Sequence, residues 1–313
     1  MKRLLITTLV MLFSKVGVAD HHVVSLEELS ALFGWDMETT EIQTEKVGEG
    51  LYVLFGVGGN IAVSIGQDGV LVVDDQFPQM MPKINDAIAK IGGGPVDYAI
   101  NTHWHFDHAQ GNLALGPMGA AIIAQLNARD DMAAGGMINM VIAKYKQDAY
   151  PPKALPIFTY EDGMQMHFNG ERVDLMHFGP AHTSGDSVVF FRKHNAVHTG
   201  DVFNNAGYPF IDADNGGEID GMIAFCQSIL DELKPGGIII PGHGKITNVM
   251  ALEKYIVMLK TVRDRVNTLI DEGKSLEQIK AAKITADFDV EYGDEAASLG
   301  FINRVYASLI INR

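Results

Sequence analysis

The chain's most informative passage runs Val96-Asp97-Tyr98-Ala99-Ile100-Asn101-Thr102-His103-Trp104-His105-Phe106-Asp107-His108. A short β-rich run, Val96–Asn101, passes without a break into His103-x-His105-x-Asp107-His108. Four potential metal ligands thus occupy six residues at the end of a predicted strand. In an extended or tightly turning segment, alternate residues can aim at one centre, so His103 and His105 address one ion. Asp107 and His108 then point at a neighbouring one. Imidazole suits zinc, and a carboxylate adds the charge needed to hold a second cation.

Working outward, Leu51–Phe55, Ile61–Ile65 and Val70–Val73 are β-rich runs punctuated by Gly56, Gly58, Gly59 and the Gln67-Asp68-Gly69 turn. Helical spacing of Ile84, Ile88 and Ile91 predicts a helix over Met80–Ile91. The Met-rich segment Ala128–Tyr150, up to Pro151-Pro152, is expected to be helical and looks like an insertion, either a lid or a packed helix pair. Extended runs resume at 157–159, 164–168, 172–178, 187–191, 196–199 and 237–240. Helices are expected at Gly221–Leu233, Met250–Glu272, Leu276–Ala281 and Ala296–Ile310. The order is β-rich, then mixed β and α, twice over. It predicts an α/β (α+β) chain of two similar halves with sheets packed together and helices outside. No linker divides it, so one domain is expected over 20–313, with a C-terminal helical extension from about 250.

Three further candidates stand at predicted strand ends beside Gly or Pro: His182 in Gly179-Pro180-Ala181-His182-Thr183, Asp201 in Thr199-Gly200-Asp201, and His243 in Pro241-Gly242-His243-Gly244. Each is weak alone. In this order after Thr102–His108, the set resembles the metallo-β-lactamase-fold hydrolase superfamily, which includes glyoxalase II, lactonases and metallo-β-lactamases. The resemblance covers roughly Gly48–Gly244.

That resemblance implies a four-layer αβ/βα sandwich with a two-metal site at one edge of the sheets. It places His103, His105 and His182 on a first zinc and Asp107, His108 and His243 on a second, with Asp201 bridging. Two zinc ions per chain would share a water and bring its pKa from 15.7 toward roughly 7, making a nucleophilic hydroxide at neutral pH. Asp107 would orient that hydroxide or pass its proton on. Asp74, after the strand run Val70–Val73, matches an acidic position of the family and is expected to hydrogen-bond a ligand histidine, with Asp75 as fallback. Asp186 is weighed between that role and a turn. Trp104 and Phe106 interleave the ligands, and they are weighed between one facing the substrate and both packing in the core.

The implied activity is a zinc-dependent hydrolase that opens an ester, thioester, lactone or amide bond of a small molecule. β-Lactam hydrolysis is the alternative. True metallo-β-lactamases usually carry Cys or Ser where this chain has Asp201, which favours the glyoxalase II and lactonase branches. A mononuclear iron persulfide dioxygenase shares the fold and early motifs, but uses two His and one Asp, and here the second-metal set is complete.

Composition limits the partners. Lys plus Arg number 24 and Asp plus Glu 39, a net charge of −15. Such a surface repels phosphate backbones and anionic headgroups, so a nucleic-acid substrate is disfavoured and a neutral or cationic small molecule is easier to accept. No apolar run is long enough for a membrane span. Residues 1–19 read as a secretory signal, with Lys2 and Arg3, an apolar run Leu4–Phe13, and small residues Gly17 and Ala19 before a cut at Asp20. A periplasmic or secreted protein is therefore expected. The single cysteine, Cys226, sits at helical spacing with apolar neighbours and reads as a core thiol. His167, His177, His194 and His198 read as structural, and His21 and His22 as part of a disordered start. Substrate identity and oligomeric state are left open.

Overall fold

The computed structural model describes residues 23–311 and 313. The signal reading of 1–19, and His21 and His22, lie outside the described residues.

A seven-stranded sheet runs edge to edge through Phe158–Tyr160, Ala121–Gln125, Tyr98–Ile100, Gly69–Val73, Ile61–Gly66, Leu51–Phe55 and Gln43–Gly48. A six-stranded sheet holds Gly163–Phe168, Glu171–Met176, Val188–Phe191, Ala196–His198, Ile238–Ile240 and Thr247–Asn248. Successive side chains of a strand point to opposite faces, and in the central strands both faces are buried. Leu71 and Val73 face the other sheet while Val70 and Val72 face helices. Val189 and Phe191 meet the first sheet, and Val188 and Phe190 meet the second helical layer. That pairing explains why these strands read as continuous apolar runs. Helix, sheet, sheet, helix is the layer order, and the predicted fold class holds.

Helix Met81–Lys90 carries the chain from Gly69–Val73 to its parallel neighbour Tyr98–Ile100, which is in turn parallel to Ala121–Gln125. In the second sheet Ala196–His198 and Ile238–Ile240 are also parallel. Parallel strands deliver their C-terminal ends to one edge of a sheet. Asp74, the Thr102–His108 loop, Asp201 and His243 all follow such ends.

The segment 128–150 is helical only at its start and is not a packed helix pair. Helix Leu126–Ala134 stops at Gly135, whose φ of 65° is left-handed. Gly136–Asn139 and Lys144–Gln147 then form an antiparallel hairpin, and Val23–Val24 pairs with its second strand. Consecutive glycines break the helix, and the period-two burial of Tyr145 and Gln147 is the strand signal. The C-terminal helices Val249–Asp271, Leu276–Ala281 and Glu295–Ile311 fall within a few residues of expectation and pack on the second sheet's outer face. Among the described residues, no helix is long and apolar enough to cross a membrane.

Candidate metal centre

All seven expected ligands converge. The donor atoms of His103, His105 and His182 lie within 4.8 Å of one another, as do those of Asp107, His108 and His243. His182 Nε2 is 2.8 Å from His105 Nδ1, and His108 Nε2 is 3.2 Å from His243 Nε2. Asp107 Oδ2 lies 3.2 Å from His243 Nε2. Asp201 stands between the groups: Oδ1 is 3.1 Å from His108 Nε2, and Oδ2 is 3.8 Å from His182 Nε2.

The outward nitrogens of His103, His105, His108 and His182 are anchored, which fixes the tautomers of those four rings. His108 Nδ1 is 2.7 Å from Asp74 Oδ2, so a proton is held there and Nε2 is the atom left to ligate once its own proton is released. Thr102 Oγ1 donates to the same Asp74 oxygen at 2.9 Å. Its one proton is then spent, so it accepts from His103 Nδ1 at 3.0 Å. His103 Nε2 is left buried without a partner among the described residues. Asp74 therefore sets the tautomer of one histidine in each group. Its backbone has φ 64°, an unusual conformation for a residue with a side chain, and its Oδ1 accepts from the Thr102 amide at 2.7 Å. His182 Nδ1 is held by the Phe210 carbonyl at 2.7 Å, and His105 Nε2 by Asp212 Oδ2 at 2.9 Å.

The two groups differ electrostatically. Burial, with His105 beside it, pushes His182 down to about 4, and burial with the neighbouring rings also depresses His103. These are neutral bases. For His243, burial opposes the charged ring, but Asp201 and Asp107 outweigh it and raise the ring to about 10. His108 is raised in the same way by Asp201, Asp107 and Asp74. Protons on these rings hold the place that a cation would take, and metal binding would release them. Five imidazoles and two carboxylates facing one centre are a donor set able to hold divalent metal ions.

Close approach dictates two glycines. A Cβ on Gly242 would collide with the Asp201 carboxylate, and one on Gly59 with the His108 ring.

The remaining expectations sort cleanly. Asp74 takes the expected place. Asp75 is buried against Asn101 Nδ2 at 3.3 Å and touches no ligand ring. Asp186 accepts from the Thr183 amide and hydroxyl at 2.7 and 2.8 Å, a turn role that shapes the His182 loop. Phe106 lines the cavity above the site, and Trp104 is packed in the core. His177, His194 and His198 are each tied to a carbonyl or carboxylate, and His167 is exposed. Cys226 is buried, its thiol pushed up by burial and 3.5 Å from the Val202 carbonyl.

Two supports were not read from the sequence. Asp212 lies in a loop, and no spacing ties it to His105. Asn60 Nδ2 donates to the carbonyls of Pro241 and Gly244, both at 2.8 Å, and so pins the turn that carries His243.

A cavity of about 540 Å³ opens over the centre. His105, Asp107, Asp201 and His243 form its polar end, and Phe33, Trp35, Phe106, Phe210 and Phe301 much of its apolar wall.

A four-layer sandwich with seven metal-competent side chains at the strand ends defines a metallohydrolase-type centre. The chain belongs to the metallo-beta-lactamase superfamily, whose family model matches residues 59–255. Solved structures agree on the fold. DIM-1 metallo-beta-lactamase is similar at 20% identity, covering 71% of this chain and 98% of that one, with a TM-score of 0.57. A metallo-beta-lactamase from Pontibacter korlensis is 13% identical over 70% of this chain and 99% of that one, with a TM-score of 0.58. The inverting sec-alkylsulfatase Pisa1 from Pseudomonas sp. is 13% identical, covering 85% of this chain and 50% of that one, with a TM-score of 0.63.

Proposed function

We propose that the chain is an exported dinuclear zinc hydrolase that cleaves an ester, thioester, lactone or amide bond in a small molecule. The observation that carries this reading is the pair of ligand groups sharing Asp201. Bound zinc would supply Lewis acidity and a water acidified into the neutral range. The chain's own residues do the rest. Asp74, Thr102 and Asp212 hold the imidazoles in the ligating tautomer. Asp107 is ionised: burial opposes its charge, but His108 and His243 outweigh burial and hold it below the usual carboxylate range. It lines the cavity and can accept a proton from the attacking water and return it to the leaving group. The aromatic wall excludes competing water. Export rests on the order of charged, apolar and small residues in 1–19.

A hydrolysis panel tests the reading with zinc-loaded protein and β-lactam, lactone, thioester and phosphodiester substrates. Turnover is expected on a lactone or thioester, with Asp107→Asn lowering it by roughly 10²–10⁴-fold through the lost proton acceptor. Turnover confined to β-lactams would replace the substrate class with the alternative. No turnover on any of the four would remove the hydrolase reading.

A further inference from the structure

The family match begins at residue 59, yet two rings of the cavity wall, Phe33 and Trp35, come from the segment before it. Helix Leu26–Phe33 has eight residues, too few to persist alone in water, and both of its ends are capped. Ser25 and Glu28 form a capping box, and Gly34, left-handed at φ 67°, lets the Trp35 amide donate to the Ser30 carbonyl at 2.8 Å. Across that turn the Phe33 and Trp35 rings stack, with centres 4.8 Å apart. The segment is tied down at three places. Leu29 is fully buried in the first core, Val23–Val24 pairs with Lys144–Tyr145, and Lys83 Nζ donates to the Glu38 and Thr40 carbonyls at 2.5 and 2.8 Å.

The rings continue toward the metal centre. Trp35 is 5.6 Å from Phe77 and 6.2 Å from Phe106, which stands in the chain between the ligands His105 and Asp107. Exposure rises outward along this track: Phe106 is 3% exposed, Trp35 is part-buried and Phe33 is 41% exposed. Ile142, at the tip of hairpin 136–147, also lines the cavity and is 61% exposed. Leu29 anchors the helix, so the fold does not need a large apolar ring held open at the mouth. Apolar surface of this kind beside a few convergent polar groups marks a ligand wall. No accessible cation interrupts it. Arg304, the sole Lys or Arg lining the cavity among the described residues, is 3% exposed and braces the Phe210 loop through the Ile211 carbonyl at 2.9 Å and Asp214 Oδ2 at 3.1 Å.

We infer that segment 26–42 determines specificity through Phe33 and Trp35, and that the molecule accepted is uncharged, with an apolar chain running from the cleaved bond along these rings to the mouth. The position of the cleaved bond rests on the hydrolase reading; the chain rests on the wall alone. An elongated track from a buried ring to an exposed one suits a chain, and each methylene laid on it leaves water.

Chain-length dependence of binding tests this without turnover. Zinc-loaded full chain is titrated with the straight-chain primary alcohols butanol, hexanol and octanol. Trp35 lines the cavity and Trp104 is packed in the core, so the fluorescence change reads the cavity. Any contact of the hydroxyl with zinc is common to the series, which leaves the slope with length to report on the wall. Wild-type affinity is expected to rise roughly two- to fourfold per added methylene. Phe33→Ala and Phe33→Gln are expected to cut the octanol-to-butanol affinity ratio about fivefold or more, and Phe33→Leu to restore part of it.

Melting temperature and zinc content are measured on each variant, and any one that folds decides. A ring that only props the helix would weaken all three alcohols alike and leave the slope unchanged, and that result overturns the proposal. So does a wild type without chain-length dependence. A slope lost in the variants of a protein that hydrolyses nothing would sink the hydrolase reading and leave the apolar wall standing. Hydrolysis with an unmoved slope would do the reverse.

Discussion

His105→Ala is expected to lower turnover of any accepted substrate by roughly 10²–10³-fold or more, while the chain still folds. The substitution removes Nδ1 from the three-histidine group, where it lies 2.8 Å from His182 Nε2. It also removes one of two donors to Asp212 Oδ2, which keeps Asn215 Nδ2 at 2.7 Å, so the melting temperature should fall without the protein unfolding. Cys226→Ala is the matched control. That thiol sits on helix Ile219–Glu232, packed inward and 3.5 Å from the Val202 carbonyl. Its loss should cost some core packing and leave turnover near wild type. Steady-state kinetics with metal content measured on each variant checks the pair. If Cys226→Ala were as damaging as His105→Ala with fold and metals intact, the thiol would be the nucleophile and the metal account would fail.

Asp74→Asn is expected to cost about 10–100-fold in metal affinity while disturbing the metal-free fold little. Asn fits the site by size and tolerates the left-handed backbone at φ 64°. Its Oδ1 can still accept from the Thr102 amide. The amide nitrogen then replaces Oδ2, which now accepts from both Thr102 Oγ1 and His108 Nδ1. Facing a donor, His108 must carry its proton on Nε2, the atom aimed at the centre. Thr102 must accept from Asn and turn its own proton toward His103 Nδ1, which moves the His103 proton to Nε2 as well. One atom exchanged thus inverts a ring in each group. Zinc titration against a competing chelator reads the loss, and thermal melting of the metal-free protein reads the fold. Wild-type zinc affinity in a folded Asp74→Asn protein would contradict the tautomer assignment.

Much of this centre was legible in the sequence because its ligands follow strand ends. Strands show themselves by composition, and Gly and Pro mark the turns that present His182, Asp201 and His243. The seven side chains that the fold brings together were therefore singled out before the geometry. Asp74 was found through the same pattern and the family resemblance. What could not be read was the loop chemistry. Asp212 reaches His105 across 107 positions, and Asn60 reaches Gly244 across 184, through contacts that no local periodicity encodes. The error at 128–150 has a different cause. Met137, Ile138, Met140 and Ile142 suit either period, and the helix reading passed over Gly135-Gly136, where the backbone turns into a hairpin. Arg304 was hidden for a third reason. It looks like any charge on an amphipathic helix until the loop carrying Phe210 and Ile211 folds against it.

The central claim is that two ions share Asp201, and metal stoichiometry tests it most directly. Active wild-type protein is purified after expression with zinc, dialysed free of loose metal and subjected to elemental analysis alongside an activity assay. The account predicts two zinc ions per chain, with the second lost most readily and activity falling steeply in Asp201→Ala. A fully active wild type holding a single tightly bound metal, or one iron in place of zinc, would contradict it.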